Sequence, residues 1–171
     1  MAQGKRIRVI ATETRPRLQG AKLTVYELKR DGIDVTLITD NMVGYVMSRG
    51  MVDKVVVGTD RILRDGHVVN KVGTLTIAIV ASRYSVPFYV AAPSSTFDLS
   101  SRVEDVVIEQ RDPREVLEVN ERPITIDVEV LNPAFDVTPP DLVTAIITER
   151  GIIRPPYHEN IPKTMARATN V

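Results

Sequence analysis

The sequence contains no cysteine and no tryptophan among its 171 residues. Without cysteine, these residues supply no disulfide bond, no thiolate metal ligand and no thiol nucleophile. The 22 basic and 22 acidic side chains balance to a formal net charge of zero. That balance argues against a uniformly basic nucleic-acid-binding protein and against an acidic tail protein, so we expect no nucleic-acid partner.

Long hydrophobic runs are missing as well. No apolar run approaches the ~20 residues that span a bilayer, and Met1–Arg8 has no apolar region of a signal peptide. We therefore expect a cytoplasmic protein with no membrane partner. His67 and His158 are too isolated to form a metal site. The glycine pattern of dinucleotide-binding proteins is also absent after the first predicted strand, so we expect neither a metal nor a cofactor.

Strand-like and helical segments alternate through the first two-thirds of the chain. This alternation predicts an α/β fold with a mostly parallel sheet covered by helices on both faces. The Asp-Gly pair within Arg64–His67 predicts a β-hairpin insertion. The predicted strands are Ile7–Thr12, Val35–Thr39, Val55–Gly58 and Phe88–Ala91, and the predicted helices are Leu18–Arg30, Met42–Arg49 and Thr74–Ser82.

The last third has a different pattern. Ile124–Val130 alternates apolar and polar residues in the way a strand does. Thr138–Asp141 has the composition of a helix start and predicts a helix over Leu142–Arg150 that ends at Gly151. The polar, proline-bearing stretch Arg154–Val171 predicts a loop or a poorly ordered tail.

Three polar clusters follow predicted strands, at the sheet edge where ligands bind in open α/β proteins. In the first cluster, Arg15, Arg17 and Gln19 lie where the chain leaves a strand and enters a helix. They have the chemistry to bind an anion near a helix N-terminus. The alternative is a loop whose arginines pair with surface acids.

The second cluster is centred on Asp60, which follows the apolar strand Val55–Val57. Partial burial at that sheet edge would suit the Asp60 carboxylate to proton transfer. The alternative is that Asp60 caps a turn or pairs with Arg61.

The third cluster, Asn70–Thr74, joins the hairpin to the following helix. Asn70 and Thr74 offer hydrogen bonds, Lys71 offers a cation, and Gly73 permits close backbone approach. These parts resemble a phosphate cradle, but the glycine spacing of a P-loop is absent. A phosphate site and a plain helix cap stay equally open for this cluster.

Six ordered motifs closely resemble the C-terminal domain of the methylthioribose-1-phosphate isomerase family. That family is related to ribose-1,5-bisphosphate isomerase and to the regulatory subunits of the translation initiation factor 2B exchange factor. The resemblance implies a Rossmann-like domain over residues 1–157, followed by a polar tail over residues 158–171. The motifs are ETRPRLQG from Glu13, LITDNMVG from Leu37, VVVGTDRI from Val55, NKVGT from Asn70, VPFYVAAPSSTFD from Val86 and NPAFDVTPPDLVTAIITERGII from Asn132.

The resemblance also implies functional roles. Family members convert the aldose S-methyl-5-thioribose-1-phosphate to a ketose in methionine salvage. Asp60 matches the catalytic aspartate that handles the proton, while Gln19, Asn70 and Lys71 match residues that contact the sugar phosphate. The family's catalytic cysteine and its N-terminal helical domain lie upstream of the first motif, and this sequence has no cysteine.

These expectations lead to three hypotheses. In the first, the chain is the C-terminal part of such an isomerase, either as a truncated form or as one piece of a split enzyme whose separate N-terminal subunit would supply the second catalytic group. It is then inactive alone, because that group is missing. In the second, it is a non-catalytic regulatory subunit, like those of initiation factor 2B, that binds a sugar phosphate or a nucleotide. In the third, it is a plain dimerisation module. The resemblance implies that this domain contributes the dimer interface, so we expect a homodimer.

Overall fold

The structure is a computed structural model that describes residues Gly4–Ala166, and the chain divides into two compact units. Unit 1 consists of Met1–Arg49 and Arg111–Asn132, and unit 2 consists of Gly50–Gln110 and Pro133–Val171. Within the described residues, no helix is long and apolar enough to cross a membrane.

The elements of the described part of the chain alternate between strands and helices up to β3, and three successive strands, β3 to β5, then precede α3 and β6. The helices are α1 (Val25–Arg30), α2 (Val43–Ser48), α3 (Thr74–Arg83), α4 (Arg114–Leu117) and α5 (Tyr157–Met165). The strands are β1 (Arg8–Thr12), β2 (Asp34–Ile38), β3 (Val55–Val57), β4 (Arg61–Leu63), β5 (Val68–Lys71), β6 (Phe88–Ala91), β7 (Phe97–Asp98), β8 (Glu118–Val119), β9 (Arg122–Pro123), β10 (Phe135–Thr138), β11 (Ala145–Thr148) and β12 (Gly151–Ile153).

Unit 1 is built on a parallel pair of strands joined by a helical crossover. β1 and β2 pair in parallel from Arg8 opposite Asp34 to Thr12 opposite Ile38. The crossover begins with one π-helical turn, Gly20–Thr24, and continues as α1. Parallel neighbours require such a crossover, so the predicted strand–helix–strand order of this region is confirmed.

The main sheet of unit 2 supplies its largest core. β3, β6 and β11 run parallel to one another, and β12 adds an antiparallel edge strand. The side chains of Phe88, Ile146 and Ile153 are fully buried in this unit. Burial of such apolar strands stabilises a parallel sheet, and the predicted α/β, Rossmann-like class is confirmed.

A second sheet of unit 2 carries the hairpin. β4 and β5 pair antiparallel around the turn at Asp65–Gly66, which confirms the predicted hairpin. β10 pairs antiparallel with β5, so that Phe135 lies opposite Lys71 and Asp136 lies opposite Asn70. This register places a strand from the last third of the chain beside the third polar cluster.

The helix predicted over Leu142–Arg150 is wrong. A single 3-10 turn, Pro140–Leu142, leads instead into the β11–β12 hairpin, which turns at Glu149–Arg150. Ala145 and Ile146 are completely buried because β11 pairs with β6 inside the sheet. The consecutive residues Ala145 and Ile146 are both buried, so this short strand shows no two-residue period, and the sequence could not separate it from a helix.

The loop or poorly ordered tail predicted over Arg154–Val171 is also wrong in its described part. Helix α5 begins at Tyr157, and its Tyr157 and Ile161 side chains are buried at a spacing of four residues. The Tyr157 hydroxyl donates a hydrogen bond of 3.0 Å to the Val143 carbonyl oxygen. Burial raises the pKa of Tyr157 well above its usual range, so this hydroxyl stays protonated. Residues 167–171 lie outside the described residues.

The strand predicted over Ile124–Val130 does not form. Ile126 is 79% exposed, and Ile124 and Val128 are exposed as well. In the described structure no neighbouring strand pairs with this segment, so its alternation produces no sheet. Alternation predicts a strand only where a partner offers backbone groups.

Gly66 lies at a turn that accepts no side chain. Its φ is +96°, and an added Cβ would lie 2.6 Å from the Tyr157 Cβ. We expect Gly66→Ala to lower the free energy of unfolding by about 3 kcal/mol, through both backbone strain and this overlap. Gly151→Ala is the matched control, because Gly151 has a φ of +118° but open space around it. Urea unfolding should show a loss of only about 1–2 kcal/mol there, and equal losses at both glycines would contradict the contact with Tyr157.

Candidate functional site

Asp60 follows the end of β3 in unit 2 and directly precedes β4. Its backbone N–H donates a hydrogen bond of 3.0 Å to the Val69 carbonyl oxygen, which places Asp60 across the hairpin from Asn70. The predicted partial burial of Asp60 is wrong, because the residue is exposed once the apolar strand ends at Val57.

The Asp60 carboxylate has no hydrogen-bond or ion-pair partner among the described residues. Arg61, its chain neighbour, instead directs its guanidinium at Asp98, 3.6 Å away. Hydrogen bonds from Ser101 and Ser100 hold the pKa of Asp98 well below its usual range, so Asp98 stays charged beside Arg61. The alternative that Asp60 pairs with Arg61 is therefore wrong, and no cap hydrogen bond from Asp60 replaces it in the described structure.

Asn70 is held by one end of its side-chain amide. Its Nδ2 donates to the Thr74 hydroxyl at 3.0 Å, and that hydroxyl donates to the Lys71 carbonyl oxygen at 2.7 Å. The Asn70 Oδ1 accepts no hydrogen bond from the described residues. Asn70 thus has a fixed orientation and an oxygen that can accept a hydrogen bond from a ligand.

Lys71 extends from the last position of β5 over an aromatic ring. Its Nζ lies 4.7 Å from the centroid of the Phe135 ring. A cation over the ring face is attracted by the ring quadrupole, which restricts this otherwise flexible side chain. Asp60 directly precedes the β4–β5 hairpin and Asn70 and Lys71 end it, and these residues offer a carboxylate, an amide and an ammonium group.

The first amides of α3 are occupied by a side chain that the sequence analysis missed. Asp136 of β10 accepts the Gly73 N–H at 2.7 Å and the Leu75 N–H at 3.1 and 3.2 Å. For these amides the helix-cap interpretation is the one the structure supports, since a carboxylate already fills the place of a phosphate. Burial raises the pKa of Asp136, opposed by these two backbone hydrogen bonds. An acid within the apolar strand Phe135–Thr138 is the signal that could have revealed it.

Gln19 belongs to unit 1, where it directly precedes the π-helical turn at Gly20. Its Oε1 is buried and has no hydrogen-bond partner among the described residues. A buried acceptor without a partner costs about 1–3 kcal/mol, and a ligand hydroxyl or amine that reached this oxygen would offset that cost.

The arginines of this first cluster are engaged with unit 1 itself. Arg15 donates to the carbonyl oxygens of Pro16 and Val116, both at 3.1 Å. Arg17 lies 3.8 Å from a carboxylate oxygen of Glu115. Arg17 therefore pairs with an acid, as the alternative interpretation of this cluster expects. Arg15 instead contacts carbonyl groups.

The loop after β1 repeats the pattern seen at α3. The carboxylate of Asp40 accepts the backbone N–H of Thr14 at 2.9 Å and that of Arg15 at 2.6 Å. Backbone amides that follow a strand are therefore satisfied by the chain's own carboxylates in both units. Across the described residues, no group of three or more histidine, aspartate or glutamate side chains could hold a metal ion.

Comparison with known proteins adds the family context. The model of the initiation factor 2 subunit family matches residues 1–155. A protein of Archaeoglobus fulgidus named putative methylthioribose-1-phosphate isomerase is 58% identical over 164 residues, which cover 95% of this chain and 48% of that protein. The chain thus spans about half the length of this relative.

Two solved structures are similar in fold and sequence. The Archaeoglobus fulgidus translation initiation factor eIF-2B, subunit delta, is 58% identical with a TM-score of 0.94, covering 96% of this chain and 48% of that one. The Pyrococcus horikoshii 5-methylthioribose 1-phosphate isomerase is 45% identical with a TM-score of 0.89, covering 91% of this chain and 44% of that one.

The family match extends over most of the chain and includes every predicted site residue. It agrees with the resemblance carried by the six sequence motifs. The chain belongs to the initiation factor 2 subunit family.

Proposed function

We propose that this chain is one part of an aldose–ketose isomerase that acts on S-methyl-5-thioribose-1-phosphate. In this proposal Asp60 is the group that accepts and returns a proton, and Gln19, Asn70 and Lys71 hold the sugar phosphate. The observation that carries the proposal is the exposed Asp60 carboxylate, which lacks a partner among the described residues although its neighbour Arg61 is paired.

The chemistry of the reaction fits these groups. Isomerisation moves a hydrogen between C1 and C2 of the sugar and needs oriented groups at both carbons. A carboxylate supplies one of them, while the ammonium group of Lys71 suits a phosphate and the Asn70 Oδ1 suits a sugar hydroxyl. The names of the Archaeoglobus and Pyrococcus relatives support this substrate.

The second reacting group is assigned to a polypeptide outside these 171 residues. The sequence contains no cysteine, and the resemblance implies a cysteine opposite the aspartate. Paired catalytic groups act non-additively, so we expect negligible turnover by this chain alone. We further propose that the chain works in the cytoplasm as a homodimer and receives the missing group from a segment outside these residues, on the same or on a separate polypeptide.

Substrate binding tests this proposal without requiring turnover. We expect S-methyl-5-thioribose-1-phosphate to bind the chain in a calorimetric titration, and Lys71→Gln to raise the Kd about tenfold by removing a charge-assisted contact. Lys54→Gln is the matched control, because Lys54 is an exposed lysine of the same unit that precedes β3. An equal loss in both variants would contradict a specific role for Lys71.

A regulatory subunit is the second candidate function. It is favoured by the TM-score of 0.94 to the structure named as initiation factor eIF-2B, subunit delta. Titration with nucleoside monophosphates separates the two candidates. Nucleotide binding without sugar-phosphate binding would favour regulation and would overturn the isomerase proposal.

A further inference from the structure

Three consecutive residues of unit 2 hold the turn that follows Asn70. The Ala134 carbonyl oxygen accepts the Val72 N–H at 3.2 Å. Next to it, the Phe135 ring lies under the Lys71 ammonium group. The Asp136 carboxylate then accepts the first amides of α3. Ala134 and the first two residues of β10 thus contact the whole turn, from its cationic side chain to the helix that follows.

We propose that Asp136 is a positioning residue that orients Asn70 and Lys71 for the sugar phosphate. The assignment of those two residues as ligand-binding groups rests on the proposed function above. Asp136 itself contacts only backbone amides in the described structure, so it acts through the turn and not on the substrate.

The contacts of Thr74 provide the route from Asp136 to Asn70. Thr74 lies between Gly73 and Leu75, whose amides Asp136 holds. The Thr74 hydroxyl accepts from Asn70 and donates to the Lys71 carbonyl oxygen. Thr74 is only 4% exposed, so water has little access to this hydroxyl as a competing hydrogen-bond partner. A shift of the two amides therefore moves the hydroxyl that fixes the Asn70 side chain.

The position beside the Gly73 and Leu75 amides requires a carboxylate. Two N–H groups converge on one side chain, and a carboxylate offers acceptor oxygens only, whereas an asparagine would direct its own N–H₂ at one of them. The negative charge also complements the positive end of the ten-residue helix α3. Because this place is filled, a substrate phosphate is left to the Lys71 side chain and not to the helix amides.

The test compares Asp136→Asn with a matched control. Asp112→Asn makes the same change at the start of α4 in unit 1, where Asp112 accepts the Arg114 N–H at 2.9 Å. Two readouts are measured on the 171-residue chain by NMR. One is the Kd for S-methyl-5-thioribose-1-phosphate, and the other is the ring-current shift that Phe135 imposes on the Lys71 side-chain protons in the ligand-free protein.

We expect Asp136→Asn to raise the Kd about tenfold and to reduce the Lys71 ring-current shift, while Asp112→Asn leaves both unchanged. A Kd and a ring-current shift equal to those of the wild type would overturn the inference. If the wild-type chain binds no sugar phosphate, the proposed function fails, and the ring-current shift still decides whether Asp136 orients Lys71.

Asp136→Glu is a second variant that keeps the inference testable if the asparagine variant does not fold. It retains the charge and displaces the carboxylate by one methylene group, so we expect a folded protein with a reduced Lys71 ring-current shift. Wild-type values for the shift and the Kd in this variant would mean that the placement of the carboxylate is unimportant, and the inference would be wrong.

Discussion

Asp60→Asn is expected to lower kcat about a thousandfold in an isomerase assembled from this chain and a cysteine-bearing N-terminal polypeptide. Asparagine has the shape of aspartate but does not accept a proton, so KM for the sugar phosphate should change little. The Archaeoglobus relative is 58% identical to this chain over 164 residues that cover 48% of its own length, and the part of it that this chain does not match is the second polypeptide to be tested. Turnover is followed by the formation of the ketose phosphate.

Asp53→Asn is the control for this experiment. Asp53 is an exposed aspartate that precedes β3, whereas Asp60 follows the same strand. We expect wild-type turnover in this variant. Retention of turnover by Asp60→Asn would exclude Asp60 as the proton-transfer group, and robust turnover by this chain alone would show that no second polypeptide is needed.

Gly20→Ala is expected to destabilise the protein as strongly as Gly66→Ala does. An added Cβ would lie 2.0 Å from the Thr12 carbonyl oxygen and 2.6 Å from the Thr14 hydroxyl. The first of these atoms belongs to the backbone of β1, so the overlap is relieved only by moving the strand or the π-helical turn. We expect a loss of about 3 kcal/mol in the free energy of unfolding, measured by urea unfolding.

Gly44→Ala shows whether the loss at Gly20 is due to this overlap. Gly44 belongs to α2 of the same unit and has no atom within 4 Å of the added Cβ. A gain of about 0.5–1 kcal/mol is expected there, because alanine favours the helix. Hydrogen exchange of the β1 and β2 amides localises the effect, and unchanged protection of these amides in Gly20→Ala would contradict the predicted overlap.

Local patterns were sufficient to predict the first elements of the fold. The apolar run of β3 and the Asp-Gly turn before β5 are recognisable from a few neighbouring residues. The predicted hairpin is also the local feature that brings Asp60 opposite Asn70 in the structure. Each of these features depends on residues that are close in the chain.

Features that depend on distant partners could not be predicted in the same way. β11 is a strand because β6 pairs with it, and α5 forms a helix whose Tyr157 hydroxyl contacts Val143. Neither partner is visible in a short window of sequence. The same limit applied to Asp136, whose role depends on amides 63 and 61 positions away.

That separation also affects the order in which the turn after Asn70 is completed during synthesis. The β4–β5 hairpin leaves the ribosome before β10, and Gly73 precedes Asp136 by 63 positions. At a synthesis rate of about 5–20 residues per second, the turn is made several seconds before Asp136. A circularly permuted or genetically split version of this chain would therefore preserve the turn more readily if the break lay outside residues 73–136.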